Sequence, residues 1–217
     1  MLTILYGTAA PQPDGPRVTV DLTSREPLRL NHGPYSYDEI TQGSGPTAAE
    51  RLTFLRDHLT DQCDLWAKRP RQFVALYFHL IERVMQRDRA AIEEKTRRLG
   101  GLFTAEDFAF SALRPLPRAH LSGVRVDFVF WTGTGLLAVD ITGDDARGPA
   151  WETRRAALAA ADARSLEIPA AVGRDDPALI EDLLPAPFTA FWQSETLPSS
   201  PFKATGLDVQ TAEAPDF

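Results

Sequence analysis

The stretch from Val124 to Ile141, VRVDFVFWTGTGLLAVDI, decides the fold. Its first eight residues alternate Val124, Val126, Phe128 and Phe130 with Arg125, Asp127, Val129 and Trp131. That period of two predicts a strand with Asp127 in its middle, on the face opposite the Val/Phe row. Thr132-Gly-Thr-Gly135 predicts a turn and Leu136 to Ile141 a second strand, so the unit reads as an antiparallel hairpin. Carboxylates are depleted in strand interiors, yet Asp127 and Asp140 both occur here, and the hairpin brings them toward one end of a sheet. Two acids that converge repel each other unless something cationic lies between them. Mg²⁺ (or Mn²⁺) suits the place, because it takes a few carboxylate oxygens and keeps positions open for water and phosphate. A third acid, Glu106, lies on a helix just upstream and is expected to reach the same place.

Outward from the hairpin, Thr104-Ala-Glu-Asp107 fits a capping box, with Phe108, Phe110 and Leu113 following until Pro115 and Pro117 end the helix. Downstream come an acidic Gly-containing loop from Thr142 to Pro149, an Ala-rich helix from Trp151 to Ala161, and the short strand Arg164 to Ile168. Pro177 to Leu184 predicts one more helix, and Phe188, Phe191, Trp192 and Phe202 predict a Pro-rich tail packed over the body. Toward the N-terminus, Leu2 to Tyr6 and Arg17 to Leu22 read as small strands, a candidate hairpin, and Asn31 to Gly45 as a linker. Leu52, Leu55, Leu59, Cys63 and Trp66 share one helical face behind a Thr47 cap. Phe73, Leu76, Tyr77, Leu80, Ile81 and Val84 form the stripe of a second helix, read as running to Leu99.

Length and composition agree with such a body. The chain has 217 residues, 43% of them hydrophobic and 24% charged, which excludes a disordered or fibrous protein. Its formal charge of −7 argues against a polyanion-binding surface all round. Between Ala67 and Leu99, however, nine basic residues face four acidic ones. The four arginines Arg87, Arg89, Arg97 and Arg98 within it are candidates for contact with DNA phosphates, against the plainer reading of a solvated helix face. Cys63 is the only cysteine, so an internal disulfide and Cys-rich zinc sites are excluded, and a reducing, cytoplasmic setting is expected. No apolar stretch predicts a signal or a membrane span.

The order helix with Glu106, strand with Asp127, turn, strand with Asp140, helix, strand resembles the core of the PD-(D/E)XK nuclease superfamily. More narrowly, Phe103 to Ile168 is similar to domains related to very-short-patch repair endonucleases. The elements that carry the resemblance are Thr104-Ala105-Glu106, Leu113-Arg114, Arg125-Val126-Asp127-Phe128, Asp140-Ile141-Thr142-Gly143, and Glu152, Arg154, Arg155 and Leu158 ahead of Leu166-Glu167-Ile168. The resemblance implies an α/β fold with a mixed central sheet of about four or five strands flanked by helices. With the pattern along the chain, this gives an N-terminal β element and linker (1–45), a helical pair (46–99), the endonuclease-like core (100–172) and a C-terminal helix and tail (173–217). The resemblance also implies metal-dependent hydrolysis of DNA, with Asp127 and Asp140 holding the metal and Glu106 orienting it through water or supporting the groups around it. Arg154 or Arg155 would clamp the phosphate.

One departure matters. The superfamily usually carries a Lys two residues after the second acid, and this chain has Thr142 there, which supplies no positive charge. Arg154 or Arg155 would have to compensate; otherwise the protein is a catalytically silent nuclease-like module that binds DNA or protein. Asp144-Asp145, where related domains often carry a His, reads as a solvated loop. Each acid also has a plainer reading: Asp127 paired with Arg125 or Arg118, Asp140 capping the loop that follows, and Glu106 as a first-turn helix acid. The hydrolase reading fails if the strand carboxylates diverge, or lie against guanidinium groups with no room for a cation.

Overall fold

The computed structural model describes residues 3–6, 18–21, 27–30, 47–63, 68–100, 103–121, 123–142, 149–169 and 177–194. The Asn31 to Gly45 linker, the Asp144-Asp145 loop, Trp66 and the tail with Phe202 lie outside the described residues. Its elements are β1 (Thr3–Tyr6), β2 (Val18–Asp21), α1 (Ala48–Gln62), α2 (Lys68–Arg87), α3 (Arg89–Arg98), β3 (Leu116–Pro117), β4 (His120–Leu121), β5 (Val124–Arg125), β6 (Phe128–Trp131), β7 (Leu136–Thr142), α4 (Pro149–Ala160), β8 (Ala163–Pro169) and α5 (Pro177–Leu183). The architecture is mixed α/β, with a four-stranded mixed sheet flanked by helices. No helix among the described residues is long and apolar enough to cross a membrane.

That sheet runs β3-β6-β7-β8. β6 and β7 pair antiparallel in the expected hairpin, Phe128 opposite Val139 and Trp131 opposite Leu136. The four-residue turn is closed by the Thr132 amide and hydroxyl, which both donate to the Gly135 carbonyl. β7 and β8 are parallel, so the chain needs a crossover between them, and α4 provides it. β3, two residues long and containing Pro117, pairs on the outer side of β6, where a missing amide is tolerated at a sheet edge.

Val124 to Trp131 is not one strand. The first pair of residues belongs to a second sheet, ordered β2-β1-β4-β5, and the chain turns a corner at Val126-Asp127 to enter the first. The β1–β2 hairpin joins this second sheet through Leu5 opposite His120. The β4–β5 connection is tight, and Gly123 takes φ +79°, a conformation that strains residues with a Cβ. Because of the corner, the expected Val/Phe row is split. Phe128 and Phe130 pack in the main core with α2, whereas Val126 lies with Val129, Ala138 and Leu158 in the cluster that includes α4.

The main core lies between the sheet and α2. Phe73 meets Phe128 with ring centroids 4.8 Å apart, and Phe188 meets Phe130 at 4.8 Å and Tyr77 at 6.1 Å. The buried Tyr77 hydroxyl donates to the Leu113 carbonyl, and burial holds its proton far above the usual tyrosine range. α1 starts with a complete capping box, Thr47 and Glu50 each accepting from the other's amide, and buries Leu55 and Leu59. The second helix does not continue to Leu99. It breaks at Asp88, whose carboxylate accepts from the Arg87 guanidinium and the Trp192 indole instead of capping α3. The segment after Thr104 forms a 3-10 turn, Glu106–Ser111, because Asp107 reaches back to the Thr104 amide and hydroxyl while Arg51 holds the same carboxylate at 3.0 Å.

The aromatics after α5 pack over the body as expected: Phe188 and Phe191 are buried. The segment they lie on is clasped from two directions. Lys95 Nζ donates to the carbonyls of Trp192 and Ser194 at 2.8 and 2.6 Å, and the buried Arg29 donates to Ser194 Oγ at 2.7 Å.

Candidate active site

Past Phe128 the backbone of β6 leaves β7, so the amides at the end of β7 lose their strand partner. Side chains replace it. The Ile141 amide donates to Asp127 Oδ2 at 2.9 Å, and the Asp127 amide donates to Asp140 Oδ1 at 3.1 Å. The two acids therefore extend the β6–β7 ladder by one reciprocal rung, and the same rung brings them together. A buried amide without an acceptor is costly, which is why polar side chains at a sheet corner are held in place.

Both acids line a cavity of about 590 Å³ bounded by β5, the corner, the end of β7, β8 and the inner face of α4. Asp140 and Thr142 stand at the carboxyl end of β7 and Glu167 near that of β8, the end of a parallel strand pair where α/β proteins place ligands. Of the residues anticipated from the sequence, Asp127, Asp140, Thr142, Arg154 and Arg155 all border this cavity. Glu106 does not: it borders a separate cavity between α1 and α2 and pairs with Arg89 at 3.3 Å. The 3-10 turn that carries it packs under the helices, away from the β6–β7 corner.

Arg154 forks Asp140. Its Nε donates to Oδ2 at 3.0 Å and its Nη2 donates to Oδ1, so the carboxylate has a resident counter-charge supplied by α4. One turn earlier on the same face, the Trp151 indole donates to Glu167, the residue directly beside Asp140 in the β7–β8 register. Each of the two neighbouring carboxylates thus has its own donor from α4. The Arg155 guanidinium stacks on the Trp151 ring, 4.6 Å from its centre. Burial raises the carboxyl of Asp127 above its ordinary pKa; the Ile141 amide opposes this, the nearby charge of Asp140 adds to it, and Arg154 and Arg125 act against it.

The donor chemistry suits a hard divalent cation only in part. Carboxylate oxygens are the right ligands, and Asp127 is bonded at Oδ2 by the Ile141 amide. Asp140, by contrast, is engaged by the guanidinium at both oxygens, and no group of three or more His, Cys, Asp or Glu among the described residues is placed to hold a metal. The four arginines expected to contact DNA are each paired with acids. Arg87 is bonded to Asp88 and Glu181, Arg89 to Glu93 and Glu106, and Arg97 and Arg98 share Glu94.

Reading the sequence assigned no role to Trp151 or Glu167. The signal for Glu167 was present, since it is a carboxylate inside a short apolar strand, the criterion that picked out Asp127 and Asp140. Trp151 carried no such signal, because a tryptophan at a helix start reads first as packing. No family model, no curated protein and no solved structure matches the chain.

Proposed function

We propose that the cavity is the active site of an endonuclease-like protein of restriction-endonuclease-like fold, hydrolysing DNA phosphodiester bonds with Mg²⁺ or Mn²⁺. The observation that carries this reading is the reciprocal bonding of Asp127 and Asp140 at the rim of a 590 Å³ cavity that two α4 arginines also line. Asp127, through Oδ1, and Asp140 would hold the cation. What the ion supplies when bound is polarisation of the phosphoryl oxygen and a lower pKa for a bound water. The chain supplies the rest. The corner rung fixes both carboxylates, Arg154 places on α4 the positive charge that Thr142 lacks, and Arg155, braced on Trp151, is available to a phosphate oxygen. The single buried cysteine supports a reducing, cytoplasmic setting.

A second reading is favoured by one specific observation. The fork of Arg154 on Asp140, together with Thr142, suits a silent nuclease-like module that binds DNA without cutting it. Nicking of supercoiled plasmid separates the two. Activity that requires Mg²⁺ or Mn²⁺ and disappears in a folded Asp127→Asn variant supports the enzyme. Folded protein that shifts DNA but nicks none in either metal removes it.

A further inference from the structure

The lining that suits a cation only in part suits an anion. All three carboxylates of the cavity already have donors from the chain itself: Asp140 lies in the Arg154 fork, Glu167 accepts from the Trp151 indole and Asp127 accepts from the Ile141 amide. Arginines border the same cavity at three positions, Arg125 on β5 and Arg154 and Arg155 on α4. Arg154 is engaged by Asp140, whereas no carboxylate among the described residues pairs with Arg155. We propose that the cavity binds the phosphate monoester of a nucleotide-sized ligand directly on Arg155 and Arg125, with no divalent cation between them. The site is independent of hydrolysis and serves equally a protein that cuts nothing.

Stacking on Trp151 holds the Arg155 guanidinium by its face, 4.6 Å from the ring centre, and leaves its in-plane N–H groups to a ligand. β5 packs against α4, so Arg125 and Arg155 approach the cavity from two elements. Both are exposed, while Asp140 is buried and Asp127 and Glu167 are half-buried. An entering anion therefore meets guanidinium groups before it meets the acids. Two such groups match a phosphate monoester, which carries close to two charges at neutral pH; a carboxylate or an internal phosphodiester carries one. The cavity, about 590 Å³, has the size of a small-molecule site and holds a nucleotide rather than a duplex. The rest of its wall offers apolar surface at Val124, Ile141 and Leu158 and hydroxyls at Thr142 and Ser165, which suit the body that carries the phosphate.

The test is calorimetric titration, in EDTA, of thymidine monophosphate and of thymidine, which lacks the phosphate, into full-length wild type, Arg155→Gln, Arg125→Gln and Arg155→Lys, with thermal melts to verify folding. The monophosphate is expected to bind at least about tenfold tighter than thymidine, and each Gln variant to lose about tenfold or more, the scale of one hydrogen bond to a charged group. Arg155→Lys, charged but without the planar fork, falls between wild type and Arg155→Gln and carries the test if the latter does not fold. Equal affinity for the two ligands, or folded variants as tight as wild type, overturns the assignment. Binding that appears only when MnCl₂ replaces EDTA also overturns it and returns the phosphate to the metal reading. No binding in either condition overturns it as well and leaves hydrolysis to the plasmid assay.

Discussion

Replacing Asp140 separates its two jobs, and the structure supplies the magnitude of each. Asp140 Oδ1 is the acceptor for the Asp127 amide at the sheet corner. Alanine leaves that amide without an acceptor, at a cost of about 1 to 3 kcal/mol. The fork with Arg154 contributes less, because a guanidinium on a side chain 35% exposed can return to water, and pairs of that kind measure about 0.2 to 1 kcal/mol. Asp140→Ala is therefore expected to lose about 1.2 to 4 kcal/mol at neutral pH, with relief of repulsion on Asp127 drawing the value toward the lower end. Asp140→Asn keeps a carbonyl for the Asp127 amide and gives up only the charge, so its loss is about 1 kcal/mol or less. Urea unfolding followed by far-UV circular dichroism reads both, provided the slopes of the transitions agree. Asparagine as damaging as alanine, or alanine within about 0.5 kcal/mol of wild type, would refute the claim that a side chain completes the ladder.

Three further outcomes follow from the same geometry. The raised carboxyl pKa of Asp127 means that the folded protein holds that proton more tightly than the unfolded chain, so the associated stability is fully present below the unfolded value and is lost as pH rises through the folded one. Asp127→Asn should thus gain on wild type as pH climbs from about 3 to about 7, and a pH-independent difference in unfolding midpoints would contradict the burial that raises the group. Phe188→Ala, which empties a fully buried position against Phe130 and Tyr77, should cost about 3 to 5 kcal/mol in the same urea assay, and a loss below about 1 kcal/mol would show that the segment after α5 is not part of the core. Arg97 and Arg98 are more than three-quarters exposed or close to it and share one acid, so phosphates compete for them readily. If the stripe touches DNA, reversing both to Glu lowers the logarithmic salt dependence of binding by about two; an unchanged slope assigns the contact elsewhere.

The hairpin was legible because its signal is local. Alternation, a Gly-containing turn and a second apolar run lie within eighteen residues, and β6 and β7 pair as those residues require. α1 and α5 were legible for the same reason, a periodic stripe with a cap or a proline at its start. What escaped is non-local. The corner at Asp127 exists because β5 pairs with β4 and β6 with β7, and no property of VRVDFVFW announces two partners. The Asp88 carboxylate at the helix break is bonded by the indole of Trp192, 104 residues away. The site shows the same division. Asp127 and Asp140 stood out as acids in strands, and Arg154 as a cation on the next helix, but the fork between Asp140 and Arg154 needs the crossover that lays α4 over the sheet. Glu106 was associated with the acids by proximity in sequence, and the packing of its 3-10 turn under α1 and α2 carried it to a different cavity.

The clasp on Ser194 has a consequence for biosynthesis. Arg29 leaves the ribosome 165 residues before the hydroxyl it will bind, and Lys95 waits 99 residues for the carbonyl it will grip. Until then Tyr77 and Phe130 lack the Phe188 ring that packs on them, and the cluster around Ile92 lacks Trp192. The nascent chain stays partly open until Ser194 has emerged, a period in which exposed apolar surface invites association with other chains. A stop codon placed just before Phe188 would prolong that vulnerable state indefinitely, although every strand of the β3-β6-β7-β8 sheet had already been made.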